Sequence, residues 1–590
     1  MTINAVILLT TLLMVVYTVN TARILALLPI GAKSHHRFMQ PVAITLARAG
    51  HEVVLYSPFP TLLDDQPANL THVLVSNVQV VDQSEDMQKF IQTITEFPFW
   101  KCLDLQWEFS YNFYQEVMGD EKIKQLYNSN EKFDLILTET FTGQEFTLIL
   151  SKKFNAPVIG IQAFPTNNIA NSFLGNSLSL SHIPDTCTVF SNKMTFVERL
   201  LNVFASVRGL YYHYNYYIPN LEALMRQDLP DAPSVAELAG SVSLMFINDH
   251  LTAEYAHPRT PNMIPVAGLH IAPPKPLPKD IQRFMDEATD GVIFYSLGTY
   301  VLDELQPKEY FDMHNQVFSK LKQRVLWKTR KEGIQGLPPN VMTVKWAPQQ
   351  DILGHPKCVL FITHGGQLSK VEALHFGVPV VSIAQFYDQH QNSEFYVQKG
   401  VGVKIARTDV SGETMSAAIR EVLGKRSYRD NMKKLSTVFR DRPMSPAESV
   451  VFWTEYVLRH GGAPHLRPAS TELRWYQLIQ LYTIVDTSCT VHFLYSYRDN
   501  MKKLSAVFRD RPMSPAESVV FWTEYVLRHG GAPHLRPAST ELRWYQLILL
   551  DLIITVIFVI STVMILVYTL AKRLLNVFTV KSIKSKKKIN

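Results

Sequence analysis

Cysteine is scarce in this chain. Cys102, Cys187, Cys358 and Cys489 show no metal-ligand spacing and are too few for a disulfide framework; a single bridge between Cys102 and Cys187 is left open. Asp-x-Asp is absent throughout, and no Gly-x-Gly-x-x-Gly follows the first strand-like run, which argues against a nicotinamide-dependent enzyme. Basic surface is missing too. The net charge is +6, but Lys572, Arg573, Lys581, Lys584, Lys586, Lys587 and Lys588, with no acid among them, supply more than that beyond Leu570. The excess charge is a tail, so no basic face for nucleic acid is required and no nucleic-acid partner is expected. Charged residues are only 19% and apolar ones 47%, the balance of a chain that buries large cores. At 590 residues it exceeds one core.

Both ends carry membrane signals. Ala5 to Val19 is almost wholly apolar and leads into Thr21 and Ala22, which reads as a signal peptide over 1–22 despite an n-region without Lys or Arg. Leu552 to Leu570 is a run of 19 uncharged residues. At about 1.5 Å per residue it spans about 28 Å, close to the hydrocarbon thickness. This predicts a transmembrane helix over 549–571 and, by the positive-inside rule, a cytosolic basic tail over 572–590. The body is then lumenal, Asn69-Leu70-Thr71 becomes a usable glycosylation sequon, and Lys587-Lys588-Ile589-Asn590 matches the dilysine pattern of tails retrieved to the endoplasmic reticulum.

Between these ends, apolar strands alternate with amphipathic helices. Ile24 to Leu28, Val53 to Tyr56, Leu135 to Leu137 and Val158 to Ile161 read as strands; Phe38 to Ala49 and Glu145 to Lys153 read as helices. The Pro-rich stretch Pro273 to Pro278 is extended and a natural linker. After it the alternation restarts with Val292 to Leu297, Val325 to Lys328, Val359 to Thr363 and Val380 to Ile383. Two parallel sheets, each covered on both faces, follow from this pattern, and ligands of such sheets bind outside the carboxyl ends of the strands. Ser427 to Ile479 recurs as Ser496 to Ile548, 69 residues on, with Thr437 against Ala506 as the one difference. A solenoid would show diverged repeats along its length; near-identity marks a recent exon duplication or two alternative exons joined. Only one copy can dock where a single copy would.

The chemistry concentrates between Trp346 and Gln389. Trp346-Ala347-Pro348-Gln349 follows the strand Val341 to Lys345 and offers a flat aromatic face beside an amide. Phe361 to Gly366 is a buried strand ending at His364-Gly365-Gly366, a glycine turn that opens the helix Gln367 to Phe376. Such a helix N-terminus attracts anions through unpaired N–H groups and the helix dipole. His364 stands beside it, Glu372 lies within two turns where a carboxylate suits a sugar diol, and Asp388-Gln389 follows the next strand. Singly, each of these residues is more often structural than functional; the ordered set is what carries the signal.

That set resembles the signature of the family 1 UDP-glycosyltransferases, which include animal UDP-glucuronosyltransferases and insect UDP-glucosyltransferases. With Ser34-His35, Pro258-Arg259, Gly268-Leu269-His270 and Gly291 to Gly298, the resemblance covers nearly all of the chain outside the duplicated block. It implies an α/β GT-B fold: two doubly wound, Rossmann-like domains facing a cleft, plus one C-terminal transmembrane helix. The acceptor-binding domain would be 23–270, the linker 271–290, the UDP-sugar-binding domain 291–479, and the duplicate with its spacer 480–548. The resemblance also implies an inverting transfer with no cofactor and no divalent metal. Carried over, Trp346 stacks on uracil, Gln349 and Glu372 hold the ribose, and His364, Gly366 and Ser369 bind the diphosphate. Asp388 and Gln389 hold sugar hydroxyls, and Ser296 and Thr299 line the phosphate end. Leu368 departs from the pattern, since many relatives carry Asn there and insect-like members do not.

Ser34-His35 matches the position of the catalytic base, which takes the acceptor proton as its oxygen attacks the anomeric carbon. The family's usual partner is Asp; here the matching place is Glu139. His36 is the adjacent competitor for the role of base. The expected partners are a UDP-sugar, a small lipophilic acceptor and membrane lipid, with a homo-oligomer left open. Glucose is favoured as the sugar, with glucuronate as the alternative; Arg259 could meet its carboxylate, but the Pro-Arg pair is also common in glucosyl relatives and decides little. A non-catalytic protein that binds UDP-sugar or a partner transferase is the rival from another class. The aromatic runs Phe97 to Tyr114 and Tyr211 to Tyr217 suit an acceptor pocket, a membrane surface or plain core packing.

Overall fold

In the computed structural model, residues 21–62, 66–78, 110–140, 143–186, 188–299, 306–479 and 497–586 are described. The signal peptide expected up to residue 22, save its last two residues, lies outside them, as do Cys102, Cys187, Cys489, the first part of the aromatic run from Phe97, and Lys587 to Asn590. Two all-parallel sheets organise the described residues. The first contains β1 (Arg23–Leu27), β2 (Glu52–Ser57), β3 (Leu70–Leu74), β4 (Leu135–Glu139), β5 (Val158–Gln162), β6 (Val242–Ile247) and β7 (Met263–Pro265), in the order β3-β2-β1-β4-β5-β6-β7. The second contains β8 (Val292–Ser296), β9 (Arg324–Lys328), β10 (Val341–Val344), β11 (Cys358–Thr363), β12 (Val380–Ser382) and β13 (Gly402–Lys404), in the order β10-β9-β8-β11-β12-β13. Their central strands are apolar on both faces because helices cover both, which is the demand a parallel sheet makes on its sequence. In each sheet the strand order reverses once, between β1 and β4 and between β8 and β11, and crevices open at those points.

Helix α1 (Lys33–Arg48) leaves β1 and starts five residues before the expected Phe38. Pro41 therefore sits inside it, where its missing N–H frees the carbonyl four residues back, rather than in a first turn. His35 is consequently on the opening turn of a helix and not in a loop. The other elements that matter here are α2 (Phe196–Tyr212), α3 (Gln367–Phe376), α4 (Asp388–Gln398), α5 (Arg426–Arg440), α6 (Pro446–Arg459), α7 (Tyr497–Arg509), α8 (Pro515–Arg528) and α9 (Leu550–Lys586). The expected helix at Glu145 begins as a 3-10 turn, Glu145–Leu148, before becoming α-helical.

The chain returns to the first sheet before residue 479. Val450, Tyr456 and Val457 of α6 are buried in the core around β1 and α1, while Met432 and Phe439 of α5 are buried against the second sheet. The first copy of the duplicated block thus straddles both bodies. The second copy has no such seat: Phe508 is 67% exposed where Phe439 is 1%, and Val519 is 66% exposed where Val450 is fully buried. At these two positions the same residue takes opposite burial in the two copies.

Deleting Tyr428 to Ser496 joins Ser427 to Tyr497 and puts the second copy in the first copy's seat. The shortened chain is expected to fold with an unchanged or higher thermal midpoint in detergent, because an undocked apolar face is lost. Failure of that variant to fold would show that the first copy does something the second cannot.

Helix α9 holds the candidate span, Leu550–Asn576, which is long and apolar enough to cross a membrane. Its first turn is tied to the body by an ion pair between Asp551 and the buried Arg199 of α2. Helix α2 itself is inverted. Arg199, Asn202 and Ser206 face inward and Val197, Leu201, Phe204 and Tyr211 face outward. The inward polar groups are paired: Asn202 donates to the carbonyls of Leu180 and Ile183, both at 2.9 Å, and Ser206 accepts from Asn168 at 2.9 Å. The outward residues recur at spacings of four, three and seven, one stripe of a helix.

Candidate functional site

The crevice of the first sheet brings together the ends of β1 and β4, where Leu27 is in register with Thr138. Glu139 is the last residue of β4 and its side chain is fully buried. His35 faces it, with Nδ1 at 3.0 and 3.1 Å from the two carboxylate oxygens. Gln144 donates to Oε2 of the same carboxylate at 2.6 Å, so Glu139 is held from both sides. A carboxylate on Nδ1 fixes the proton there and leaves the Nε2 lone pair to act as base. That nitrogen has no hydrogen-bond partner among the described residues, and the His35 side chain is 15% exposed. Burial disfavours the charged ring, but the Glu139 carboxylate, with Asp388 beyond it, outweighs burial and raises the His35 pKa above its ordinary value.

His36 behaves otherwise. It is fully buried, its Nε2 bonds the carbonyl of Ile30 at 2.7 Å, and burial pushes its pKa down to about 3. A neutral ring locked to the backbone packs the helix; it does not shuttle protons. Glu139 in place of Asp is accommodated because the longer side chain reaches His35 from the end of its strand, where Gln144 steadies it.

The crevice of the second sheet gathers most of the other expected residues. Ser296 and Thr363 end β8 and β11 in register. His364 follows, and its ring lies against two glycines. A Cβ on Gly298 would stand 2.7 Å from His364 Cε1, and one on Gly366 would stand 2.5 Å from its Nε2; a larger residue at either place would displace the ring. Burial, and then Lys328, push the His364 pKa down to about 4. Gly366 caps α3, and the N–H groups of its first turn point into the crevice as an anion site.

Within α3, Glu372 is buried, and two side-chain amides hold it while leaving acceptor capacity on both oxygens. Gln349 donates to its Oε2 at 2.5 Å and Gln350 to its Oε1 at 3.1 Å. Burial raises the carboxyl pKa, yet the hydrogen bonds and charge of His270, the Gln349 amide and Arg37 outweigh this and hold it low. Gln349 also donates to Ser369 Oγ at 3.1 Å, so Gln349, Ser369 and Glu372 form one connected group. Trp346 stands beside it, 47% exposed.

At the end of β12, Tyr387 takes φ 49° and ψ −135°, a strained backbone of the kind that clusters at functional sites. It delivers Asp388 and Gln389 at the start of α4. Burial pushes the Asp388 pKa up to about 6, against the pull of Lys370 and Asn392. Gln389 spends its carbonyl oxygen on the N–H groups of Gln385 and Phe386, at 2.9 and 3.4 Å. Thr299 sits at the lip of the β8 turn, where Lys328 donates to the carbonyl of Gly298 at 2.7 Å.

Sequence reasoning passed over several contributors. Lys33 and Arg37, either side of His35 on α1, lie 4.4 and 4.8 Å from the Trp346 ring, and Lys328 lies 5.5 Å from it. Their i, i+4 spacing was the available signal, visible only if the helix is started at Lys33. A buried relay also joins the two bodies. Glu254 accepts from Lys370 at 2.5 Å, Lys370 donates to Asn392 at 2.6 Å, and Asn392 donates to Asp388 and to the Gly365 carbonyl, both at 2.8 Å. No spacing rule reveals a relay whose first member, Glu254, is over a hundred residues from the rest.

Two side chains that the sequence singles out have partners within the fold. Arg259 pairs with Asp249 at 2.6 Å, whose side chain is fully buried. The Nδ2 of Asn69, to which a glycan would attach, donates instead to the carbonyls of Ala47 and His51, at 2.7 and 2.6 Å. The aromatic run from Tyr211 divides: Tyr217 is buried with its hydroxyl on Glu145 at 2.9 Å, while Tyr211 and Tyr216 are exposed.

The family model described as UDP-glucoronosyl and UDP-glucosyl transferase matches residues 24–494 and again 489–589. UDP-glycosyltransferase UGT5 of Dactylopius coccus is 37% identical over 485 residues, covering 81% of this chain and 90% of the relative. UDP-glucosyltransferase 2 of the same organism is 35% identical over 492 residues, covering 81% and 93%. Among solved structures, a UDP-glucosyltransferase from Polygonum tinctorium superposes with a TM-score of 0.51 at 16% identity, covering 75% of this chain and all of that one. At that identity the likeness is one of fold, and the fold is GT-B.

Proposed function

We propose, from the premise that this chain belongs to the family of UDP-glucuronosyl and UDP-glucosyl transferases, that it moves glucose from UDP-glucose to a hydroxyl of a small lipophilic acceptor, with inversion and without a divalent metal. The observation that carries the mechanism is the placement of α1. One turn of this helix holds His35 on Glu139 and lays Lys33 and Arg37 against Trp346, so the base and the donor platform are neighbours across the cleft. His35 Nε2 takes the acceptor proton as the hydroxyl oxygen attacks the anomeric carbon, and Glu139 stabilises the imidazolium that forms. UDP departs toward the Gly366 end of α3, whose N–H groups and dipole meet the growing negative charge. Trp346 stacks on uracil, Gln349 and Glu372 take the ribose, His364 and Ser369 the diphosphate, and Asp388 and Gln389 the sugar hydroxyls. Ser296 and Thr299 close the phosphate end.

One residue supports glucose over glucuronate. Leu368 packs against the first sheet's core across the cleft instead of adding a polar group beside the donor. The similarity to a protein named UDP-glucosyltransferase 2 points the same way. Microsomes containing the chain, offered UDP-glucose and UDP-glucuronate with a panel of phenolic and alcoholic acceptors, are expected to yield the glucoside by mass, with or without EDTA. A glucuronide as the main product, or loss of transfer in EDTA, would overturn the reading.

We further infer that α9 anchors the enzyme in the endoplasmic reticulum membrane with its body lumenal. The basic residues after Leu570 support that orientation. The outward apolar stripe of α2, joined to the head of the span by Arg199 and Asp551, and the exposed Trp544 just before it, suit a body resting on the lipid headgroups. Protease added to sealed microsomes is expected to trim only the short tail, and glycosidase to shift the mobility if Asn69 carries a glycan. Digestion of the body without detergent would place it in the cytosol.

A further inference from the structure

The two copies of the duplicated block meet each other, and they do so reciprocally. Arg459, at the end of α6, grips Asp510 with Nε and a terminal nitrogen at 2.9 and 3.1 Å, and His460 adds a contact at 2.7 Å. Arg528, at the end of α8, grips Asp441 at 2.9 and 3.1 Å, and His529 adds a contact at 2.7 Å. Each member of one set lies 69 residues from its counterpart in the other. The contact is two-fold: residue i of one block meets j of the other, and j meets i, which is the defining property of an isologous interface.

A block cannot make these contacts with itself. Asp441 precedes α6 and Arg459 ends it, and the helix between them, 14 residues long, spans about 21 Å at 1.5 Å per residue. The Asp and the Arg-His pair are complementary only to another block of the same sequence. We propose that the corner between α5 and α6 is a self-complementary docking surface for a second copy of this chain, and that the duplicated block fills it from within.

The surroundings leave room for that partner. In the first copy, Val450, Val457 and Phe439 root the block in its own body. In the second copy, Val519, Val526 and Phe508 on the same face are exposed. A second chain seated by its own first copy would carry its body on that open side. The carboxylates stay charged in the seam: burial opposes ionisation at Asp441 and Asp510, but the Arg and His partners outweigh it and lower both pKa values. The internal copy wins in the intact chain because a tethered partner is present at a high effective concentration.

The test uses the full chain in detergent micelles, with mass read by sedimentation. Wild type is expected to show one mass across concentrations. Asp510→Ala with Arg528→Ala strips the second copy of its carboxylate and guanidinium, leaving only His529 on Asp441 and the first copy intact, and is expected to double the mass as concentration rises. The doubling is concentration-dependent because exposed ion pairs are individually weak. Adding Arg459→Ala should return the mass to that of wild type, and sugar transfer, which involves none of these residues, serves as the folding control. A double variant whose mass does not change, or a doubling that survives Arg459→Ala, overturns the proposal.

Discussion

Replacement of His35 by alanine is expected to reduce transfer by about 10²- to 10⁴-fold, the usual range for loss of a general base, while UDP binding changes little. His35 is on the first body and its contacts are to Glu139, whereas the donor residues are on the second. His36→Ala is the matched control. Its ring is buried and bonded to the Ile30 carbonyl, so its loss should lower the thermal midpoint and leave the rate per folded molecule within a few-fold. Inactivation by His36→Ala with an active His35→Ala would exchange the roles.

The pH dependence follows from the same pair. The base works only when neutral, and Glu139 raises the pKa of His35, so the acid limb of the rate profile is expected above the ordinary value of about 6.5. Glu139→Gln removes the charge that holds the imidazolium and should move that limb down while lowering the plateau. Stability runs the opposite way. A histidine whose folded pKa is raised stabilises the fold fully below its unfolded pKa, and this contribution is lost as pH rises through the raised value. Rate and stability are therefore expected to diverge across that window, which a thermal-shift series beside the rate profile will show.

Glu372→Ala is expected to weaken UDP binding by about 10²-fold, from hydrogen bonds to an ionised group worth about 1.5–3 kcal/mol each. The carboxylate is held ionised by His270, Gln349 and Arg37 and stands ready for a diol. Its removal also leaves Gln349 and Gln350 with lost partners in a buried place, so a fall in thermal midpoint accompanies the loss. The discriminating measurement is 2′-deoxy-UDP. Wild type should bind it much more weakly than UDP, and Glu372→Ala should hold the two about equally. If the variant still prefers the ribose form, another residue reads the diol. Trp346→Ala is the smaller companion effect, reduced because Lys33 and Arg37 already share that ring.

Local pattern carried much of this architecture. Strands buried on both faces have to be apolar throughout, so β1, β4, β5, β8, β9 and β11 stand out as runs bounded by turn residues. Helix α3 follows its glycine turn and occupies the expected residues, Gln367–Phe376. By contrast β3, β7 and β13 are short edge or near-edge strands with little signal of their own. Helix α1 runs back from the expected Phe38 to Lys33, where Lys33 and Arg37 lie over the Trp346 ring of the second body, a contact that no local apolar pattern announces.

The sequence by itself determined the alternation of strand and helix, the family, the candidate span and the order of the site motifs, because each is written in neighbouring residues. It also exposed the duplication. What it left undecided were matters of contact between distant residues. His35 and His36 are equal as letters, and only burial and the bond to Ile30 separate them. Arg259 and Asn69 advertise a charge and a glycan acceptor, and only the fold shows which neighbours the two side chains meet. The two copies of the block differ at one residue, yet one is buried and the other exposed, because a body offers a single seat. Spacing along a chain cannot encode which group reaches a partner first; the folded contacts do.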